Sequence, residues 1–220
     1  MISPHDSGPI YKETIMTRFP VEPFNTFSNL LFLAVLIYFS LKVYKNPKNH
    51  VFISCIIPVI FIGYIGGTIY HATRSANIWL YMDWVPIMLS CLAATFYFIF
   101  KSSKLVWVRL IWIFLTLTIN FGIRALPIPR KFATSAGYVF TAVAVLLPIF
   151  VYLYKTKWRY LKWVVLGVVS FALAITFRVT DRYLDLSMGT HWLWHSFGAI
   201  AVFFLINYIY KDDLQKEKAH

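Results

Sequence analysis

Seven apolar stretches, near residues 24–44, 51–70, 80–100, 105–122, 133–154, 160–178 and 190–210, decide most of what this chain can fold into. Each approaches the roughly 20 residues a helix needs to cross the hydrocarbon core of a bilayer. Lipid offers no hydrogen bonds, so a spanning segment must satisfy its own backbone, and a helix does that. Only 14% of the 220 residues are charged and 59% are apolar, too few charges to coat a soluble domain. The fold expected is all-α: a polytopic membrane protein, one seven-helix transmembrane domain over residues 1–220. Short connections make consecutive helices antiparallel neighbours. Residues 1–23 are polar and lack a cleavable signal, so the first apolar segment is expected to act as signal and anchor. Residues 211–220 read as a solvated tail.

A net charge of +12 invites a nucleic-acid partner, but the charges fall in short loops between apolar runs, where they set membrane orientation instead. Lys12, Arg18, Arg74, Arg124, Arg130, Lys131, Arg178 and Arg182 lie on the side of the N-terminus. Lys42, Lys45, Lys48, Lys101, Lys104, Arg109, Lys155, Lys157, Arg159, Lys162, Lys211, Lys216 and Lys218 lie on the other, and outnumber them. The positive-inside rule therefore puts the C-terminus in the cytoplasm and the N-terminus outside. Cys55 and Cys91 sit within apolar segments and read as small buried hydrophobes, not a disulfide.

With that topology, polar residues far apart in sequence reach one depth at the outer face. His71 ends the second span, Asp83 lies early in the third, and His191 and His195 open the seventh. Glu22, Asn25, Ser28 and Asn29 sit at the outer end of the first. Residues four apart on a helix point the same way from successive turns, so His191 and His195 can share one ion. Ionisable side chains in a membrane segment are expensive and mark function by default. Three histidines suit zinc, which keeps a fourth position for water in catalytic sites. Asp83 would then orient that water or accept its proton, or else hold a histidine in its tautomer. The plainer alternatives are interface anchoring for each histidine, and pairing of Asp83 with Arg74. His5, His50 and His220 read as solvated. Haem fits poorly, because ligands on adjacent turns of one helix cannot take opposite faces of a porphyrin. Arg178 and Asp181, three residues apart, read as a structural ion pair or a substrate contact.

Four blocks carry a family likeness: Glu22-Pro23-Phe24-Asn25-Thr26-Phe27-Ser28-Asn29-Leu30, Tyr70-His71-Ala72-Thr73, Asp83-Trp84-Val85-Pro86, and Phe177-Arg178-Val179-Thr180-Asp181 with Gly189-Thr190-His191-Trp192-Leu193-Trp194-His195. In order and rough spacing they resemble the alkaline ceramidases, above all bacterial ceramidase-like members. That family belongs to the seven-helix membrane hydrolases that include the adiponectin and progestin receptors. The resemblance implies that His71, His191 and His195 bind zinc and that Asp83 assists an activated water. It implies hydrolysis of a ceramide-type amide, drawn from the bilayer, to a sphingoid base and a fatty acid. Another lipid ester or phospholipid as substrate, or a non-catalytic zinc-containing lipid receptor, are the alternatives. The family serine one turn before the first histidine is Gly67 here, and Thr68 is the candidate to supply the missing hydroxyl. Glu22 matches a position of a calcium site in some members, with only Asp6 and Glu13 as further acids in the N-terminal segment. A transporter is disfavoured, since no pair of interrupted helices marks the midplane.

Overall fold

A computed structural model describes residues 4–122, 130–181 and 183–217. Arg124, Arg182, Lys218 and His220, weighed above, lie outside the described residues. Among those described there are eight α-helices and no strand: α1 Pro23–Ser28, α2 Leu30–Val43, α3 Val51–Thr73, α4 Asn77–Ser102, α5 Val106–Gly122, α6 Arg130–Lys155, α7 Leu161–Thr180 and α8 His191–Glu217. A short 3-10 turn, Pro47–His50, leads into α3.

Six stretches are long and apolar enough to cross a membrane: Pro23–Val43, Pro47–Thr73, Asn77–Ser102, Ser135–Lys155, Leu161–Thr180 and His191–Gln215. The chain is thus a multi-pass, all-helical membrane protein. The fourth expected span is the exception. It coincides with α5, Val106–Gly122, whose described apolar run is Val106–Thr118. Large apolar side chains point outward all along the helices, Leu41 at 66% exposure and Phe114 at 73% among them. In water such a surface would aggregate; in lipid it is the solvated face.

The chain groups into two compact units, residues 1–87 with 162–220, and residues 88–161. In the second, α5 packs on α6. There Lys155 donates its ammonium to the Ser102 carbonyl (2.5 Å), and Ser102 its hydroxyl to that of Pro148 (3.3 Å).

The first unit holds α1 to α3, the start of α4, α7 and α8. Pro23 opens α1, where its missing N–H costs nothing. The free N–H groups of Phe24 and Asn25 are taken by the distant Glu13 carboxylate, at 2.9 and 2.7 Å. An anion at that end also suits the helix dipole. α3 ends on Arg74 in the left-handed conformation (φ 48°), its N–H bonded back to the Tyr70 carbonyl. Glycines set the spacing between helices. A side chain at Gly66 would collide with Met82 of α4, and one at Gly167 would reach Leu205 of α8 at 3.1 Å. Such small positions let membrane helices approach closely.

Three sequence expectations need correcting here. His50 is buried, 3% exposed, with its Nδ1 3.5 Å from Asp213 and its ring against Tyr210. The tail is not simply solvated: α8 continues through it to Glu217, and Asp212 and Asp213 are buried. Lys, Gln and Glu are good helix formers, so the helix outlives its apolar pattern. Cys55 is exposed on the surface of α3 and Cys91 half-buried; both are free thiols.

Candidate metal centre

His191 and His195 occupy the first turns of α8, and the local sequence fixes where that helix begins. Gly189 adopts φ 62°, and a side chain there would strike the Asp181 carboxylate. Asp181 Oδ1 accepts the N–H groups of Thr190 (2.6 Å) and His191 (2.9 Å), and the Thr190 hydroxyl donates to the Phe177 carbonyl at 2.6 Å. The end of α7 therefore clamps the start of α8. Asp181 acts as a capping carboxylate from outside the helix, a role the ion pair expected with Arg178 did not anticipate.

His71 faces this helix from the last turn of α3. Its Nδ1 meets Glu22 Oε2 at 2.5 Å, both side chains fully buried. Its Nε2 is buried without a partner, as are Nδ1 of His191 and Nδ1 of His195. One nitrogen from each ring lies within 4.8 Å of the other two. The ring centroids stand 4.7 Å (His71–His195), 4.9 Å (His191–His195) and 5.6 Å (His71–His191) apart. Three buried imidazoles with bare nitrogens converging on one small volume would be costly in an otherwise apolar bundle. One metal ion could be held by all three. Zinc bonds of about 2.0–2.1 Å place tetrahedral ligand atoms about 3.4 Å apart, so a modest inward turn of the rings completes the fit. His195 also meets the backbone carbonyl of Asn25, which aims the ring from α1.

Glu22 lies between His71 and Arg74. Its Oε1 accepts from the Arg74 guanidinium and the Thr14 hydroxyl, each at 2.6 Å, and its Oε2 from the Asn25 amide at 3.2 Å besides His71. Burial alone would raise its pKa. The His71 hydrogen bond and the charges of His71 and Arg74 outweigh burial and hold the carboxyl down, at about 2. The calcium position that Glu22 matches gains no support: both oxygens are engaged by donors, and the cation beside them is the buried Arg74. That guanidinium also binds Asp6 twice at 2.8 Å and the Pro9 carbonyl at 3.0 Å. Arg74 is therefore the partner of Asp6 and Glu22, not the ion-pair partner of Asp83 considered above.

The polar N-terminal segment packs against the end of α3, the loop after α7 and the start of α8. Val21 and Glu22 donate their N–H groups to the carbonyls of Ala72 and His71, and Lys12 reaches the Leu184 carbonyl at 2.6 Å. Tyr11 stacks on His191, centroids 3.8 Å apart and 21° between planes. Tyr11, Glu13 and the structural role of Arg74 had no signature in the sequence: their partners are distant in the chain and follow no period.

Asp83 arrives from α4, half-buried. Its Oδ1 abuts the α-carbon of Gly67, where any side chain would collide with it. It also lies within electrostatic reach of His71 and Arg178. The glycine in place of the resembled family's serine is thus the space Asp83 occupies. The Thr68 hydroxyl, three residues before His71, is buried without a partner. Comparison with known proteins finds no matching family model and no matching curated protein.

Proposed function

We propose that this chain is a zinc-dependent intramembrane hydrolase that cleaves the amide bond of a ceramide-like lipid, releasing a sphingoid base and a fatty acid. In this reading the chain crosses the membrane seven times, with its N-terminus outside, its C-terminus cytoplasmic and the site toward the non-cytoplasmic face. The observation that carries the reading is the set of three buried histidines, each with one ring nitrogen within 4.8 Å of a ring nitrogen of the other two.

Zinc held by His71, His191 and His195 supplies a Lewis acid and lowers the pKa of water toward neutrality. The chain's own groups do the rest. Glu22 accepts the Nδ1–H of His71, which leaves the Nε2 lone pair free to ligate and fixes the ring. Asp83, a carboxylate at the rim, accepts a proton from the attacking water as the new C–O bond forms. It returns that proton to the amide nitrogen as the C–N bond breaks, so the amine leaves neutral. Thr68 offers its unpartnered hydroxyl to the oxygen on which charge develops. A cavity of about 490 Å³ between α1, α2 and α8, lined by Pro23, Phe24, Phe27, Leu31 and Trp192, suits one apolar chain entering sideways from the bilayer.

The test is a lipid panel of ceramides, N-acyl amino acids, lipid esters and phospholipids, with products read by mass spectrometry before and after chelation. Fatty acid released from ceramide, and lost on chelation, is the expected result. Release only from esters or phospholipids would transfer the chemistry to another lipid. Zinc without turnover on any member would make the chain a binding protein.

A further inference from the structure

Asn29 stands at the junction of α1 and α2, 3% exposed, and its amide Nδ2 is buried without a hydrogen-bond partner. A buried primary amide donor left unpaired costs free energy, and such groups call for a reason. Its neighbours supply one. Asn25, one turn earlier and on the same face, touches both Glu22 and His195. Asn29 Nδ2 lies 3.4 Å from the point where a Gly67 side chain would begin, and Asp83 Oδ1 lies nearer still to that point. Gly67 in turn is one helical turn before His71, on the same face of α3. The bare α-carbon of Gly67 therefore admits a carboxylate acceptor, Asp83, beside an idle amide donor, Asn29, one helical turn from His71.

We infer that Asn29 is a catalytic residue, whose amide N–H donates to the substrate's carbonyl oxygen and to the anion that develops on it. The inference rests on the proposed hydrolysis for its substrate, and on the orphaned amide for its chemistry. The pairing is complementary. Asp83 takes the proton of the attacking water, and Asn29 stabilises the oxygen that gains the electron pair from the C=O bond. When the C–N bond breaks, the pair returns to re-form C=O and the hydrogen bond relaxes. No further reactant is needed.

Butylphosphonate, a soluble tetrahedral anion, tests this without requiring turnover. The zinc-loaded full chain in detergent is titrated with it by calorimetry, beside Asn29→Leu, which keeps shape, and Asn29→Asp, which keeps size but loses the donors. Zinc content and helical circular dichroism accompany each, so that a folding defect in one variant leaves the other to decide. Loss of affinity by about a hundredfold in both variants, with zinc retained, is the expected result. A parallel fall in kcat with KM nearly constant is expected wherever the intact chain hydrolyses ceramide. Affinity and kcat unchanged in both variants would overturn the inference, as would an intact zinc protein that does not bind butylphosphonate. An intact chain that binds it, loses that binding in both variants and yet hydrolyses no lipid would uphold Asn29 as the donor and remove the hydrolase reading instead.

Discussion

At the scale of single residues, Glu22 is the hinge of the site, because one carboxylate holds both a ligand histidine and a buried guanidinium. Replacing Glu22 with Gln should lower zinc affinity by about 10- to 100-fold and remove one of the two carboxylates that hold Arg74, leaving Asp6. Leaving a buried charge wholly unpaired costs about 3–5 kcal/mol, and with Asp6 still on Arg74 the loss should be smaller. Zinc retention against a competing chelator and a thermal melt measure the two effects separately, and a variant equal to the parent in both would refute this account of Glu22. Gly67 carries an opposite lesson to the one its position suggests. Restoring a serine there would seem to repair a lost hydroxyl, but its Cβ collides with the Asp83 carboxylate. Gly67→Ser should therefore reduce turnover while leaving bound zinc unchanged; a gain in turnover would show that Asp83 has room to move aside. Thr68→Val should cost about a hundredfold in kcat at constant zinc content if its hydroxyl serves the reaction.

At the scale of elements, the start of α8 is held from outside the helix. Asp181→Ala removes the acceptor for two buried N–H groups and should destabilise by about 1–2 kcal/mol, as cap removal commonly does. Because His191 is one of those two, zinc affinity should fall along with the melting temperature. A melt that shifts without any change in zinc would mean that α8 keeps its register without the cap. His191, His195, His71 and Asp83 were legible because helical period and span ends carry depth information: i, i+4 spacing gives a face, and the end of a span gives a level. Glu22 was visible only as a position in a resembled block, and its partners His71 and Arg74 carried no sequence signal. Tyr11, Asp6 and Glu13 were illegible for a different reason. They act on residues more than ten, and in two cases more than sixty, positions away through a segment with no repeating pattern. The buried His50 and Asp213 escaped likewise, since a loop histidine and a charged tail look solvated until they meet.

At the scale of the whole molecule, the apolar surfaces and the six long apolar helices follow from composition and were read correctly. The fourth expected span, residues 105–122, coincides with α5, Val106–Gly122, and its crossing of the membrane belongs to the proposed reading. Orientation is open to direct measurement in intact spheroplasts with a membrane-impermeant maleimide. On a background with Cys55 and Cys91 replaced by serine, a cysteine at Ser75 should label from outside. One at Lys157 should label only after permeabilisation. The reverse pattern would invert the positive-inside reading and move the site to the cytoplasmic face.

All of these rest on one claim, that His71, His191 and His195 hold a metal ion. Zinc content per chain, by mass spectrometry of the detergent-purified protein beside His195→Ala, tests it most directly. The account predicts about one zinc per chain in the parent and its loss in the variant, with helical circular dichroism retained. A parent that binds no zinc even when supplied with it, or a variant that binds as much as the parent, would contradict it.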